Sequence, residues 1–509
     1  MRSRGPMFVL TPLLLSIFLL LLTANSFAIP AFSRQYGTSC TTCHVDFPKL
    51  NDFGKAFKDA GFKFPKGDED FLKVPPVMLG APAQKELWPH TVFPGTIPGL
   101  PPIGLRYNQF FQYTPNSANN YNPPGSTAPT VPRTDFEPGF FSIFMAGNFG
   151  SDIAFWVDDD LSVSGANANG GLGDGYLKFV NIGRFFKLPT DSLSLRVGQF
   201  ELDLPVTQAR NINLSGYDIF TEANIGLLDP TKQNVNNQFA IQDAAQGIEI
   251  SGGHQYGGYH YSLAFVNQNT SGGAAAAPPN VASPAGFFSD SNYKDLYARF
   301  SYRFNLEKDP ASRHDIQAAG ATGPRDHTYL SLGTFYFKGR SLQRFAGVDA
   351  ADNAVTLTAR EPFYRVGGDI SFNYRTFNLF GVYMYGHDDD LLLNAGVTGF
   401  TPGPAAKFNG GFLEADYLML PWVMGIMRYD RVQSTADFLN QSGSANYFSP
   451  IGSTRNRVTP GIQFLIHANI KASFEYAIRP KQALAYDANG NAISPFRTST
   501  ATGALEFVY

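Results

Sequence analysis

Apolar and polar residues alternate along many short segments of this chain. In the segment Tyr364–Tyr374, one set of alternate positions carries Tyr, Val, Gly, Ile, Phe and Tyr, and the other carries Arg, Gly, Asp, Ser and Asn. Leu296–Phe304 and Ser473–Ile478 repeat the pattern. Because successive side chains of a strand point to opposite faces, each segment is predicted to be a β-strand with one apolar face. Strands of a soluble sandwich alternate too, but a barrel in lipid turns the apolar face outward.

Sixteen such segments are recognised, and a closed bacterial barrel has an even number of strands. They are 103–114, 138–149, 152–163, 173–185, 192–202, 245–253, 257–268, 292–304, 327–338, 362–374, 375–387, 409–420, 421–432, 455–467, 469–479 and 500–509. Most connections after odd-numbered strands are long and most after even-numbered strands are short, which predicts periplasmic short turns and two periplasmic termini. The connection 305–326 breaks this rule and casts doubt on the position of strand eight or nine. The connection 339–361 is predicted to be a long outer loop.

Composition supports a barrel in lipid. Aromatic residues make up 14% of the chain and charged residues 16%, against about 25% charged residues in ordinary soluble domains. The fold class is therefore predicted to be mainly β, a sixteen-stranded transmembrane antiparallel β-barrel (103–509) whose lumen is wide enough for a channel. The net charge is −3 with no basic stripe, which argues against a nucleic-acid partner.

The first 28 residues are predicted to be a secretory signal peptide. Arg2 and Arg4 precede an apolar run, Leu13–Leu22, and Ser26-Phe27-Ala28 supplies small residues at a cleavage site. The apolar run is shorter than the ~20 residues of a spanning helix. The mature chain is therefore expected to begin at Ile29, outside the cytoplasm.

The only two cysteines lie close to that new terminus, in Cys40-Thr41-Thr42-Cys43-His44. A C-x-x-C-H motif is the pattern for covalent attachment of one haem c, with Cys40 and Cys43 as thioether donors and His44 as the proximal iron ligand. A dithiol redox pair is the rival interpretation, but it does not need the histidine. A structural zinc site needs four ligands, and the chain has no second cluster.

The residues around the motif are predicted to form a small α-helical haem segment, 29–75, followed by a proline-rich tether, 76–102. A segment this small needs walls to complete its burial, so it is expected within the barrel lumen or at its periplasmic mouth. A helix is expected from Asp46-Phe47-Pro48 to Gly61, with an apolar face that packs on the haem and consists of Leu50, Phe53, Phe57 and Ala60. In the tether, Met78 is the predicted distal iron ligand and His90 the alternative, because a thioether ligand raises the reduction potential.

Other candidate sites are weaker. Asp158 with Asp160, and Arg365 with Asp369, are predicted to project together into the lumen, where charged residues are ordinary. The run His387-Asp388-Asp389-Asp390 offers oxygen and imidazole ligands for a divalent cation, although exposed acidic runs are usually only solvated.

Two stretches of the N-terminal region carry a family resemblance. Ile29-Pro30-Ala31-Phe32-Ser33-Arg34-Gln35-Tyr36-Gly37, the haem motif and Phe47-Pro48-Lys49-Leu50-Asn51-Asp52-Phe53-Gly54-Lys55-Ala56-Phe57-Lys58 resemble the fused monohaem cytochrome-porins of iron-oxidising bacteria. The resemblance implies a haem segment in or against an outer-membrane barrel, and transfer of electrons from extracellular Fe(II) to a periplasmic c-type cytochrome or other carrier. It also implies an electron-transfer protein or an Fe(II)-oxidising oxidoreductase.

Two other functions remain open at this point. Besides an inward electron conduit, the chain could be a diffusion porin whose haem segment serves as a plug or sensor. It could also carry electrons outward to extracellular acceptors. The conduit needs only the haem and its placement, whereas a diffusion porin needs an open lumen.

Overall fold

A computed structural model describes most of the chain beyond the predicted signal peptide. The described residues are 31–64, 67–81, 83–90, 95–100, 102–117, 131–161, 171–206, 212–221, 223, 245–267, 293–306, 328–348, 353–394, 399–436, 454–479, 482–486, 492–497 and 499–509. The predicted signal peptide, 1–28, lies outside this set. Among the described residues, no helix is both long enough and apolar enough to cross a membrane.

Sixteen strands form the body of the molecule. In chain order, β1 to β16 are Ile103–Ser117, Val131–Phe149, Ile153–Leu161, Gly171–Phe179, Ser194–Phe200, Ala245–Gly253, Gly258–Asn267, Lys294–Asn305, Tyr329–Val348, Ala354–Tyr374, Phe377–Asp388, Ala406–Leu420, Val423–Ser434, Thr454–His467, Ile470–Ala477 and Thr500–Val508. Each strand pairs antiparallel with its neighbours in sequence, and β16 pairs with β1 to close the barrel. Closure satisfies the backbone hydrogen bonds that an open sheet edge would leave exposed to lipid. The prediction of a sixteen-stranded antiparallel barrel is confirmed.

The two faces of the strands differ as the alternation predicts. Val366 and Ile370 on β10 are each 42% exposed and point outward, whereas Arg365, directly before Val366, is fully buried and points into the lumen. The same division holds on β11, where Tyr383 is 60% exposed and Met384 is buried. The outer surface therefore carries the apolar side chains that a lipid environment requires.

Several predicted boundaries need correction. The connection 339–361 is not a long loop, because β9 continues to Val348 and β10 begins at Ala354, which makes a tall hairpin. β4 ends at Phe179, and Ile182–Phe186 forms a 3₁₀ helix in place of the last predicted strand residues. Strands eight and nine lie where the alternation put them and pair directly with each other, in spite of the long connection between them.

Small elements precede the barrel. The helices are α1 (Ala31–Tyr36), α2 (Asp52–Asp59), α3 (Asp68–Phe71) and α4 (Gln84–Leu87), and a 3₁₀ turn covers Cys40–Thr42. Two short sheets pair His44–Asp46 with Lys49–Leu50 and Val77–Met78 with Thr96–Ile97. A further helix, α5 (Asp218–Thr221), lies between β5 and β6.

The helix expected from Asp46 begins later than predicted. The segment from His44 to Leu50 turns back on itself as a two-stranded sheet, so α2 starts at Asp52. The Asn51 side chain caps this helix by accepting a hydrogen bond from the Gly54 amide at 2.9 Å. The predicted stop at Gly61 is close to the observed end, where Gly61 has a φ of 81° that favours glycine.

An arginine on the outer face is expected to destabilise the barrel in proportion to its depth. Ile370→Arg places a charge near the middle of the apolar belt and should lower the unfolding free energy in lipid vesicles by about 2–4 kcal/mol. The matched control is Leu420→Arg beside the short β12–β13 turn, where the cost should be only about 0–1 kcal/mol. Equal costs at the two positions would contradict the depth assigned to Ile370. Urea titrations of the two variants in vesicles give both values.

Candidate functional site

The cysteine motif forms one tight turn at the wall of a lumenal cavity. The Cys43 amide donates to the Cys40 carbonyl at 3.2 Å, and the Ser39 side chain accepts from the Thr41 amide at the same distance. In a 3₁₀ turn, side chains three residues apart eclipse each other. The C-x-x-C spacing therefore brings both thiols to one face of the turn.

His44 follows the turn and is oriented by a backbone carbonyl. Its Nδ1 lies 3.2 Å from the Pro48 oxygen, which favours the tautomer that donates from Nδ1. Metal-binding histidines commonly make such a bond with the nitrogen that does not hold the metal. Burial lowers the pKa of His44 to about 4, so the imidazole is neutral, as a metal ligand must be. Burial likewise raises the pKa of the Cys43 thiol to about 12.

Asn51 and Gly54 hold the turn in place, and the sequence reasoning gave neither a role. The buried Asn51 side chain donates to the Thr41 and Thr42 carbonyls at 3.3 and 3.1 Å while it caps α2. A Cβ on Gly54 would stand only 2.1 Å from the Cys43 carbonyl oxygen. The α2 backbone therefore lies directly against the motif. In the sequence, the one pattern that indicates this contact is an asparagine at the helix start, Asn51, followed three residues later by a glycine, Gly54.

Residues 31–64, which we call the plug, occupy the lumen at the short-turn end of the barrel. Arg303 of β8 binds both carboxylate oxygens of Asp52 at 2.6 Å. Lys49 reaches Asp416 of β12, also at 2.6 Å. Two lumen-facing lysines bind plug carbonyls, Lys471 to Phe47 and Lys178 to Asp59. Because these partners lie on well-separated strands of the closed wall, the plug is fastened from several sides.

The plug has an aromatic core that the barrel wall completes. Phe57 is 4% exposed and lies at the centre, with its ring centroid 4.9 Å from that of Phe32 and 5.6 Å from that of Tyr36. Phe62 packs against Trp156 of β3 at 5.6 Å. A segment this short cannot bury a core alone, so contact with the wall supplies the missing burial.

The connection after β5 folds inward above the plug. We call its described parts, 201–206 and 212–221, the strap. Glu475 of β15 accepts hydrogen bonds from the Leu214 and Ser215 amides at 2.7 and 3.1 Å, and Asn213 donates to Glu414 of β12. Further along the strap, the Arg457 side chain lies 3.1 Å from that of Asp218. The strap is thus bound to the β12–β15 wall by charges that the barrel projects inward.

The wall from β9 to β13 also presents an apolar cluster to the lumen. The Tyr217 ring of the strap stacks on Phe412 at 3.9 Å, and Phe412 lies 6.1 Å from Phe380. These rings belong to a larger buried cluster that includes Phe335, Phe337, Phe363, Met384, Phe408 and Val432. Lumens of diffusion porins are polar and filled with water. This part of the lumen is instead packed as a core.

A cavity of about 910 Å³ remains between the plug, the strap and the wall. Its size lies in the upper part of the range for cofactor sites. The motif contributes Cys40, Cys43 and His44 to the lining. The rest of the lining combines apolar and aromatic side chains, among them Leu50, Phe57, Trp156, Tyr176, Leu202, Leu204, Val206 and Ile212, with charged ones, among them Lys49, Lys58, Arg106, Arg196, Glu249 and Lys471. Two thiols on one face, an oriented neutral imidazole and neighbouring apolar side chains are the groups that a covalently bound haem uses.

The two candidates for the distal ligand lie elsewhere. Met78 is 43% exposed in the small sheet that pairs it with Thr96, and His90 is also exposed. Neither residue lines the cavity that contains His44. The structure does not bring either side chain to the motif, and the choice between them stays a prediction.

The weaker sequence candidates Arg365 and Asp369 both face the lumen, as predicted, but each binds a different partner. Arg365 pairs with Asp388 at 2.8 Å, and Asp369 pairs with Arg299 at 2.7 Å, so Arg365 and Asp369 do not bind each other. Asp158 binds the Trp156 indole, while the side chain of Asp160 lies outside the described residues.

Strand geometry also divides the run that starts at His387. Asp388 points into the lumen toward Arg365, whereas the His387 ring lies beside Tyr364 on the other face. In the described part of the chain, no group of three or more His, Cys, Asp or Glu side chains is arranged to hold a metal ion.

Comparisons with known proteins concern the barrel. No protein-family model and no curated protein matches the sequence. Similar solved structures include the outer membrane channel DcaP of Acinetobacter baumannii, with 11% identity over 80% of this chain and 96% of that one and a TM-score of 0.43. They also include the anion-selective porin from Comamonas acidovorans, with 10% identity, coverage of 80% and 98%, and a TM-score of 0.45. Likeness at this level concerns the fold alone, which the strand pairing already establishes.

Gly54→Ala is expected to loosen the motif turn. Helix propensity alone predicts that this change stabilises α2 by about 1 kcal/mol. The new Cβ, however, meets the Cys43 carbonyl, and overpacking of this kind costs about 1–3 kcal/mol. Hydrogen exchange of the α2 amides should therefore become faster.

The control for this prediction is Gly399→Ala, where the nearest atom is 3.6 Å from the new Cβ and little change is expected. Slower hydrogen exchange in Gly54→Ala would show that helix propensity outweighs the clash of the new Cβ with the Cys43 carbonyl. It would contradict the close packing of α2 on the motif turn.

Proposed function

We propose that the protein transfers single electrons inward across the outer membrane through one haem c, which is bound to Cys40 and Cys43 and ligated by His44. The donor is extracellular Fe(II), which the family resemblance implies, and the acceptor is a periplasmic c-type cytochrome or other one-electron carrier. Each Fe(II) ion that is oxidised to Fe(III) gives up one electron, and one carrier molecule gains it.

The position of the motif carries this proposal. The C-x-x-C-H turn lines a cavity inside the lumen, and the plug that contains it is bound to the wall through Asp52 and Lys49. The apolar belt of such a barrel is an insulating layer about 25 Å tall. A redox group shortens the path of an electron through that layer only if it lies within the lumen, and the cavity is at such a place.

The chain's own residues supply binding and orientation. A haem c contributes one-electron exchange between its ferric and ferrous forms. Cys40 and Cys43 would fasten it to the turn, and the Pro48 carbonyl would orient His44 through Nδ1 and increase its strength as a ligand. The aromatic core around Phe57 excludes water from the plug side of the cavity.

The packed lumen favours electron transfer over solute diffusion. A diffusion porin needs a continuous polar passage. Here, the strap crosses the lumen and the rings around Phe412 and Phe335 are buried. The outer membrane is the location that fits a closed antiparallel barrel with an apolar outer face. Lipid is therefore a further partner.

Covalent attachment is expected to require both thiols. A Cys40→Ala/Cys43→Ala double variant should lose haem staining on denaturing gels while the barrel still folds, since both residues lie in the plug rather than in a strand. Heat-modifiable migration on gels reports the folded barrel. Haem staining that persists in the double variant would refute the attachment.

Electron transfer is expected to depend on His44. Vesicles that contain the protein and enclose a one-electron acceptor should reduce the acceptor when Fe(II) is added outside, and His44→Ala should abolish most of this rate. The matched control is His467→Ala, an exposed histidine at the same end of the barrel, whose rate should equal that of the wild type.

Two outcomes of this vesicle assay would distinguish a diffusion porin from an electron conduit. Equal rates in wild type and His44→Ala, or reduction that occurs only when iron itself crosses the bilayer, would mean that the protein is a diffusion porin. Reversal of the assay, with a donor enclosed and an acceptor outside, tests outward transfer.

A further inference from the structure

The stretch between the plug and β1 has an unusual composition for a segment outside a core. Residues 74–100, whose described parts (74–81, 83–90 and 95–100) we call the rim hairpin, contain only two charged residues, Lys85 and Glu86. The 28 residues before it, 46–73, contain twelve. A segment with so few charges loses little solvation free energy when it leaves water.

The rim hairpin also exposes large apolar side chains. Six of them are between 39% and 66% exposed, namely Val77, Met78, Leu79, Leu87, Trp88 and Leu100. Single exposed apolar residues are normal on a protein surface, but a group within one short segment marks a surface that contacts another apolar phase.

Its position identifies that phase. The Pro98 ring lies 3.2 Å from the point where a Cβ on Gly147 would stand, and the Phe155 ring lies at the same distance. Ala146 is buried and packs with the plug, so Gly147 next to it faces outward, as does Phe149, which stacks on Phe155 at 4.7 Å. The rim hairpin is therefore continuous with the outer, lipid-facing surface of the barrel.

The contact lies at the level of the membrane interface. Gly147 is close to the end of β2 at the short-turn rim. Aromatic residues elsewhere on this rim are strongly exposed, with Phe185 at 72%, Phe186 at 69% and Trp422 at 51%. Girdles of aromatic residues mark the interface in membrane barrels. Irregular backbone is tolerated there, because water and headgroups still satisfy its polar groups.

We infer that the rim hairpin is an interfacial anchor, which lies among the phospholipid headgroups beside β2 and directs its exposed apolar side chains toward the acyl chains. The anchor extends the aromatic girdle and keeps the chain that leads out of the plug against the membrane. This function goes beyond electron transfer and requires only that the barrel lies in a bilayer.

Trp88 provides the test. The protein is reconstituted in vesicles of phospholipid that is brominated near the headgroup, and its emission is compared with that in unbrominated vesicles. The contribution of Trp88 is the difference between wild type and Trp88→Phe, and we expect bromine to remove most of it. Any quenching by haem is common to both lipids and cancels in the ratio.

Two other tryptophans calibrate the measurement. Trp422→Phe should remove a second component that is quenched by bromine, because Trp422 is on the exposed rim, whereas Trp156 lines the lumenal cavity and should be insensitive to brominated lipid. Trp88 fluorescence that is unchanged by brominated lipid but quenched by dissolved iodide would overturn the proposal. The neighbour of Trp88 would then be solvent or a soluble partner.

A second measurement separates this anchor from the predicted iron ligand. If Met78 contacts lipid, Met78→Ala leaves the optical spectrum and midpoint potential of the haem protein unchanged. A changed spectrum would assign Met78 to the iron and contradict its placement in the anchor.

Discussion

A closed barrel of sixteen strands encloses more space than its own inward side chains can fill. Everything that distinguishes this molecule depends on how that space is occupied. The plug fills the short-turn end, and the strap crosses the lumen above it, so that a cavity of about 910 Å³ is left between them. The cavity exists because the plug and the strap, which come from different parts of the chain, meet inside the barrel wall.

The plug and the wall depend on each other for burial. Phe57 gathers the plug's aromatic rings, but the outer side of that cluster is closed by Trp156 of the barrel. The ion pair of Asp52 with Arg303 joins groups that are 16% and 3% exposed. A pair with so little access to water is costly to break, because either charge would remain buried alone. The orientation of the motif turn thus depends on barrel strands far away in sequence.

The inner wall of the barrel holds the strap both by charged and by aromatic side chains. The β12–β15 side carries charges such as Glu475 and Arg457, which hold the strap's backbone and its acidic side chain. The adjoining wall from β9 to β13, which overlaps that side at β12 and β13, carries the aromatic residues that pack against Tyr217. An apolar, closely packed interior excludes water from the region above the cavity. Such an interior suits the proposed redox group better than the free passage of solutes.

The sequence by itself determined the sixteen strands, their antiparallel order and the C-x-x-C-H motif, because alternation with a period of two and a five-residue motif are local patterns. It misplaced the start of α2, since the turn of His44 on Leu50 competes with helix formation there. Only the tertiary structure decided that Asp52 meets Arg303, 251 residues away, and that Arg365 meets Asp388 on the next strand. Pairings of that kind depend on how a barrel closes around its contents, and no local pattern records that geometry.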